Sequence, residues 1–332
     1  MKLGVFMAIG QALIRNAIGL LLLFVFVGCG EALPKPAKVS FNGYTVDAQE
    51  GSASFRFSAL SAEGNVISSG SVSNPSVSNL TLVQGSGNLQ GSATICGQFT
   101  TTPGPISCVI TLDSTGSMSG NDPNRQRAQA AKAFVNRLRS GDVAAVASFD
   151  TSTSPTPGFS ALRIRQDFTS DKTALLSAVD QATFEGGGTN LWDATYDSAR
   201  HVSSQQGNRI VLVLTDGEDN SSSKTPAAVI QQATQSQTRV YMVGLSSDPN
   251  SLSFRDMQRI AANTGGLFAF AGNANQLETM FNSIFNDIQG SFCIKVVFQV
   301  NGSPPPAGTA ISGTLRFAVN GASFQQDFTV YF

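Results

Sequence analysis

Residues 109–118 read VITLDSTGSM, an apolar run that ends in Asp113 and continues into Thr115 and Ser117. A buried strand that stops at a carboxylate, followed by hydroxyls at alternate positions, puts hard oxygen ligands on one tight loop. Such a set suits one small divalent cation. Two later stretches look like further parts of the same site. In GGGTN (186–190), Thr189 follows three glycines, and in LVLTDGED (212–219), Asp216 stands just past another apolar run.

The regions between these stretches alternate two periodicities. Continuous apolar runs at 109–112, 143–149, 210–214, 240–243 and 267–270 predict strands covered on both faces. Residues 161–166 (ALRIRQ) alternate instead and predict an edge strand. Apolar residues at helical spacing predict helices over 125–138, 175–182, 191–203, 227–234, 252–262 and 277–288. Alternating strands and helices imply a parallel sheet with helices on both faces. In such open sheets ligands bind beyond the carboxyl ends of the strands. Asp113 and Asp216 stand at two of those ends.

With those residues in hand, the triad Asp113-x-Thr115-x-Ser117 with Thr189 and Asp216 resembles the metal-ion-dependent adhesion site of von Willebrand factor type A domains. The one departure is Thr115 where serine is usual, and it keeps the hydroxyl. The resemblance covers about residues 106–290. It implies a doubly wound, Rossmann-like α/β fold and a bound Mg²⁺ or Mn²⁺. It implies that Thr115, Ser117 and Thr189 coordinate through hydroxyls, while Asp113 and Asp216 act through water or as outer acceptors. It also implies that the ion keeps an open position for a carboxylate of a protein partner, and that the last helix, 277–288, shifts in some relatives.

The flanks are different. Residues 39–105 and 291–332 hold short alternating segments such as VSFNGYTV, ASFRFSAL, NLTLV, GSATICG, CIKVVFQV, GTLRFAV and FQQDFTVYF, separated by Ser, Gly, Asn and Pro. Neither flank is large enough to bury a core comfortably. The expectation is that they pair into one β-sandwich, with the α/β domain at 106–290 inserted between them. The fold class is therefore α/β, a mostly parallel sheet inserted in or flanked by a sandwich-like all-β domain.

At the start, Lys2 and Arg15 precede the apolar core 17–27 (AIGLLLLFVFV), the length of a signal-peptide core and short for a membrane span. Gly28-Cys29 follow, which resembles a bacterial lipobox with Phe26 in the usual leucine position. The resemblance implies a signal peptide at 1–28, lipidation at Cys29 and a tether at 29–38. Gly30 after the cysteine implies the outer membrane of a two-membrane cell. An ordinary secretory signal and an uncleaved anchor are the alternatives.

If Cys29 is lipidated, Cys96, Cys108 and Cys293 remain, and an exported chain favours one disulfide. Both Cys96–Cys108 and Cys108–Cys293 are open. The first closes a short loop and the second staples the ends of the inserted domain. Charged residues make up 13% of the 332 residues and the formal net charge is −1. No basic patch points to nucleic acid. Sole histidine His201 is expected on a helix surface. Asp193 is expected either to brace the Thr189 loop or to face solvent, and Glu218 and Asp219 flank the site. Asn79, Asn220 and Asn301 open Asn-x-Ser/Thr triplets, read as coincidental. No nucleophile elbow or phosphate-binding loop is present. The expected function is a non-enzymatic, cell-surface adhesion or protein-binding module that captures an acidic group through its metal. The alternative is a structural subunit of an envelope assembly.

Overall fold

Both faces of the central strands are apolar because helices cover both. The computed structural model describes residues 34–100, 104–182, 184–216, 219–245, 252–271 and 273–332. Residues 1–28, Cys29, the first part of the tether and Glu218 lie outside the described residues. Among the described residues no helix is long and apolar enough to cross a membrane.

The first flank forms β1 (Lys38–Asp47), β2 (Ser52–Leu60), β3 (Val66–Ile67), β4 (Val72–Leu82) and β5 (Leu89–Thr100). The central region runs β6 (Ile106–Asp113), α1 (Met118–Asn121), α2 (Gln126–Arg137), β7 (Val143–Phe149), β8 (Arg163–Thr169), α3 (Lys172–Gln181) and α4 (Leu191–Val202). It continues with β9 (Asn208–Thr215), α5 (Pro226–Gln235), β10 (Arg239–Leu245), α6 (Leu252–Thr264), β11 (Phe268–Ala271) and α7 (Leu277–Gln289). The second flank supplies β12 (Ser291–Val300), β13 (Ala310–Val319) and β14 (Ala322–Tyr331).

Strands β11, β10, β9, β6 and β7 lie side by side and parallel, with β8 antiparallel at the edge. The alternating sequence of 161–166 is thus an edge strand, displaced by two or three residues. Within β6, Cys108, Ile110 and Leu112 face α2, α3 and α7, whereas Val109 faces the layer of α4, α5 and α6. Period two with apolar residues at both phases is what burial on both faces requires.

The flanks share two sheets. Strands β5, β12, β2 and β1 form one antiparallel layer, and β14, β13 and β4 form the other. Between them lies a core rich in phenylalanine, including Phe55, Phe57, Phe292, Phe298, Phe317 and Phe328. Each layer therefore takes strands from before and after the central region. The first layer does not stop there. Tyr44 of β1 pairs with Phe268 of β11, so the sandwich layer and the parallel sheet form one continuous sheet. Gly43 makes this junction possible. Its φ is +141°, and a Cβ there would lie 3.1 Å from the Phe268 carbonyl oxygen.

The disulfide corrects both sequence-based pairings. Cys96 bonds to Cys293, with 5.0 Å between their Cα atoms. Cys96 on β5 and Cys293 on β12 lie on neighbouring antiparallel strands. Cys108 is fully buried in β6, where it packs in the core under α2, α3 and α7. Burial and the nearby Asp142 charge push its thiol well above the ordinary range.

The last helix is clasped from several sides. Phe281 and Phe285 of α7 meet Phe134 of α2 edge-on. At its end, Asp287 pairs with Arg56 of β2 at 2.6 Å and accepts the Tyr241 hydroxyl at 2.8 Å. The Gly290 carbonyl accepts Ser58 Oγ at 2.6 Å. Helix α7 then passes directly into β12.

Candidate functional site

The loops after β6 and β9 bring four of the expected residues together, and a third loop, between α3 and α4, carries Thr189. Asp113 is the last residue of β6 and is fully buried, as is its neighbour Ser114, with Thr115 nearly so. One Asp113 oxygen, Oδ1, accepts the Thr115 backbone N–H at 2.8 Å and the Thr115 hydroxyl at 2.6 Å. The other, Oδ2, accepts the Thr215 hydroxyl at 2.5 Å. Ser117 Oγ donates to Asp216 Oδ1 at 2.9 Å, which joins the loop after β6 to the loop after β9.

These contacts use up the hydroxyl protons. Thr115 has one proton, directed at Asp113, and Ser117 has one, directed at Asp216. Yet the two hydroxyl oxygens lie only 3.1 Å apart. With both protons given to the carboxylates, each oxygen keeps lone pairs that can turn to a shared cation beside that gap. Neighbouring oxygens around a six-coordinate Mg²⁺ stand about 3 Å apart, given ligand distances of about 2.0–2.1 Å. The donor set thus matches a small hard cation.

The electrostatics agree with the donor geometry. Burial, then repulsion from Asp216, pushes the Asp113 carboxyl up to about 6, against the opposing pull of the Thr115 and Thr215 donors. Among the described residues no lysine or arginine pairs with Asp113 or Asp216. Nor do three or more His, Cys, Asp or Glu side chains cluster there as a metal-holding group. The site is chiefly a hydroxyl site, with two carboxylates bearing on it.

Thr189 is buried on the third loop, between α3 and α4. Its backbone N–H donates to Asn220 Oδ1 at 2.8 Å, and its carbonyl accepts from the Asn220 and Ser221 N–H groups. Its side chain does not join the hydrogen bonds that link Asp113, Thr115, Ser117 and Asp216. The glycines before it lie against neighbouring loops. A Cβ on Gly187, whose φ is +74°, would lie 2.6 Å from the Ser152 nitrogen. A Cβ on Gly188 would lie 2.5 Å from Ser221 Oγ. Gly187 needs glycine for its φ and for the close Ser152 backbone, whereas a side chain at 188 would have to displace the Ser221 and Asn220 side chains.

Other expected residues find definite places. Asp193 is buried and accepts the Ser223 and Lys224 N–H groups at 3.0 and 2.7 Å, so it braces the loop after β9. Asp219 accepts Ser222 Oγ at 2.5 Å and the Trp192 N–H at 3.4 Å. His201, on α4, is not on an open surface. It is half-buried against Phe159 and Phe168 and faces Asp167.

Asp150 is a residue the sequence reading missed. It follows β7 and accepts from Ser114 Oγ, Ser152 Oγ and Thr153 Oγ1 at 2.7–3.0 Å. Burial alone would raise its carboxyl, but the donors from Ser152, Thr153 and Ser114 outweigh it and hold the group below its usual range. Asp150 thereby ties the loop after β7 to the loop that carries Thr115. A signal for it existed, since FDTST (149–153) repeats the pattern of an apolar strand, an aspartate and hydroxyls.

No curated protein sequence matches the chain. Several solved structures are similar to the chain at low identity. Proximal thread matrix protein 1 from the mussel byssus, solved with a zinc-occupied MIDAS motif, is 17% identical with a TM-score of 0.48 over 63% of this chain. The chain spans about half the length of that protein, 50%. A von Willebrand factor type A protein from Catenulispora acidiphila is 14% identical, with a TM-score of 0.43, over 88% of this chain and 72% of its own. The corresponding domain of the type V pili tip protein Mfa5 from Porphyromonas gingivalis is 13% identical, with a TM-score of 0.43, over 57% of this chain and 96% of its own. With every TM-score under 0.5, membership rests on the sequence profile. That profile, the von Willebrand factor type A domain, matches residues 108–283, more than half of the chain, and so the chain belongs to the von Willebrand factor type A domain family.

Proposed function

We propose that this protein is a divalent-metal-dependent binding module that captures an acidic group on a protein partner. The carrying observation is the pair of hydroxyl oxygens of Thr115 and Ser117, 3.1 Å apart, each also bonded to a carboxylate, Asp113 or Asp216. Thr115, Ser117 and Thr189 would hold Mg²⁺ or Mn²⁺, with Asp113 and Asp216 as acceptors behind them. The ion would supply an electrophilic position for a partner's Asp or Glu carboxylate. The protein's own residues orient the hydroxyls and fix the loops. Few ligand charges neutralise the ion, so it keeps its attraction for an incoming carboxylate. The role is binding, not catalysis.

The surrounding organisation follows the same reading. Residues 39–105 and 291–332 make one sandwich, interrupted by the type A domain at 106–290. Residues 1–28 direct export, Cys29 carries lipid and 29–38 tether the module to a membrane, at the outer membrane or cell surface.

The test is a calorimetric titration of the full chain with MgCl₂, followed by capture of surface proteins with and without EDTA. Saturable Mg²⁺ binding that Asp113→Ala removes supports the metal site, and a partner lost on chelation supports the adhesive role. Absent Mg²⁺ and Mn²⁺ binding would overturn it. Separately, Cys29→Ser should move the protein out of the membrane fraction, and a variant that stays there refutes the lipid anchor.

A further inference from the structure

Ser117, which immediately precedes α1, and Asn121, its last residue, lie one turn apart, and residues i and i+4 share a face. Both reach the same carboxylate. Ser117 Oγ donates to Asp216 Oδ1 at 2.9 Å and Asn121 Nδ2 donates to Asp216 Oδ2 at 2.8 Å. Asp216 sits just beyond β9 and is partly exposed. A carboxylate held at one oxygen can swivel about its Cβ–Cγ bond. One held at both oxygens has a defined plane.

We infer that Asn121 is a positioning residue for the cation, acting through Asp216 on Ser117; this rests on the metal-binding reading above. With Asp216 fixed, its Oδ1 stays where it takes the Ser117 proton. The remaining lone pairs of Ser117 then stay free for a cation shared with Thr115 Oγ1, 3.1 Å away. Should Asp216 rotate, the Ser117 proton is free to turn into that gap and fill the space the ion needs.

The residue type suits the task. An amide donates a hydrogen bond without adding charge. A lysine at 121 would neutralise Asp216 and repel a cation, while an aspartate would offer no proton and would repel Asp216. The backbone beneath Asn121 is also held. Its N–H donates to the Ser117 carbonyl at 3.1 Å. The next residue, Asp122, is fully buried. It pairs with buried Arg127 at 2.8 Å and accepts the Gln126 N–H at 2.6 Å. The side chain of Asn121 is exposed, so its removal disturbs no core.

The experiment compares the parent, Asp113→Ala, Asn121→Ala and Ser119→Ala by calorimetric titration with MgCl₂ and by thermal melting in EDTA. Ser119 is an exposed neighbour on α1 that bonds the Gly116 carbonyl instead of Asp216. Asn121→Ala is expected to weaken Mg²⁺ binding about 10-fold, in the range seen for outer-sphere partners of metal ligands. Its melting temperature in EDTA should match the parent's, and Ser119→Ala should bind like the parent. If the parent binds Mg²⁺, Asp113→Ala does not, and Asn121→Ala binds as tightly as the parent, the assignment of Asn121 falls while the metal site stands. Equal weakening in Ser119→Ala would mean general loosening of α1 and would also overturn it. A parent that binds no Mg²⁺ removes both readings.

Discussion

Replacing Asp113 by asparagine should stabilise the cation-free protein, although Asp113 lies at the centre of the site. Its carboxyl stands at about 6 in the fold, against an ordinary value of 3.8. About two units of upward shift correspond to about 3 kcal/mol of differential interaction, set against the folded state once the group is ionised. The sign follows from proton linkage. Between about pH 4 and 6 the folded protein holds a proton that the unfolded chain has released, so stability falls as pH rises through that window. Below it the penalty is absent, and above it the penalty is complete. Asparagine removes the charge and keeps an oxygen for the Thr115 donors. The shift already includes the stronger hold of these donors on the charged form, but the amide nitrogen replaces the oxygen that accepts the Thr215 hydroxyl, and that bond must reverse or is lost, at about 1 kcal/mol. The net gain near pH 7.5 is then about 2 kcal/mol. Urea denaturation in EDTA measures it. The gain should shrink as pH falls from about 6 to 4 and be gone below about pH 3, where the parent's own carboxyl is protonated in both states. Mg²⁺ should stabilise the parent near pH 7.5 and leave the variant unmoved. A variant less stable than the parent in EDTA near pH 7.5 would refute the reasoning, because the buried charge would then be a net benefit without a cation.

Further outcomes test the contacts that tie the first flank to α7 and to β12. Arg56→Met leaves Asp287 buried without its guanidinium and should cost about 3–5 kcal/mol in urea unfolding, whereas replacing both partners with apolar residues should cost far less. Peptide mapping under non-reducing conditions should recover Cys96 joined to Cys293, with Cys108 unreactive toward thiol reagents until the protein unfolds. Because the bond closes a loop across 197 residues, its reduction should destabilise the fold by up to about 5 kcal/mol.

Much of the α/β part was legible because its signals are local. β7 was predicted at its observed bounds, Val143–Phe149, and α4 to within one residue. Each central strand is covered on both faces, which writes burial directly into consecutive residues. Asp113, Thr115, Ser117 and Asp216 could be picked out from strand ends followed by hydroxyls, and the hydrogen bonds join these four. Asp150 carried the same local pattern and was overlooked. Asn121 carried none, since an asparagine on a short exposed turn looks like any other.

What the amino-acid order decided alone was the alternation of elements, and with it the end of the sheet where the acidic loops gather. The tertiary structure decided which distant groups meet. Cys96 found Cys293 because β5 and β12 adopt neighbouring places in one layer, and Cys108 was withdrawn into the central sheet. Asp193 turned inward to hold the loop after β9, and Arg56 of the first flank reached Asp287 of the last helix. Strand register and layer packing are settled by the total apolar area that can be buried at once, and that sum runs over residues hundreds of positions apart.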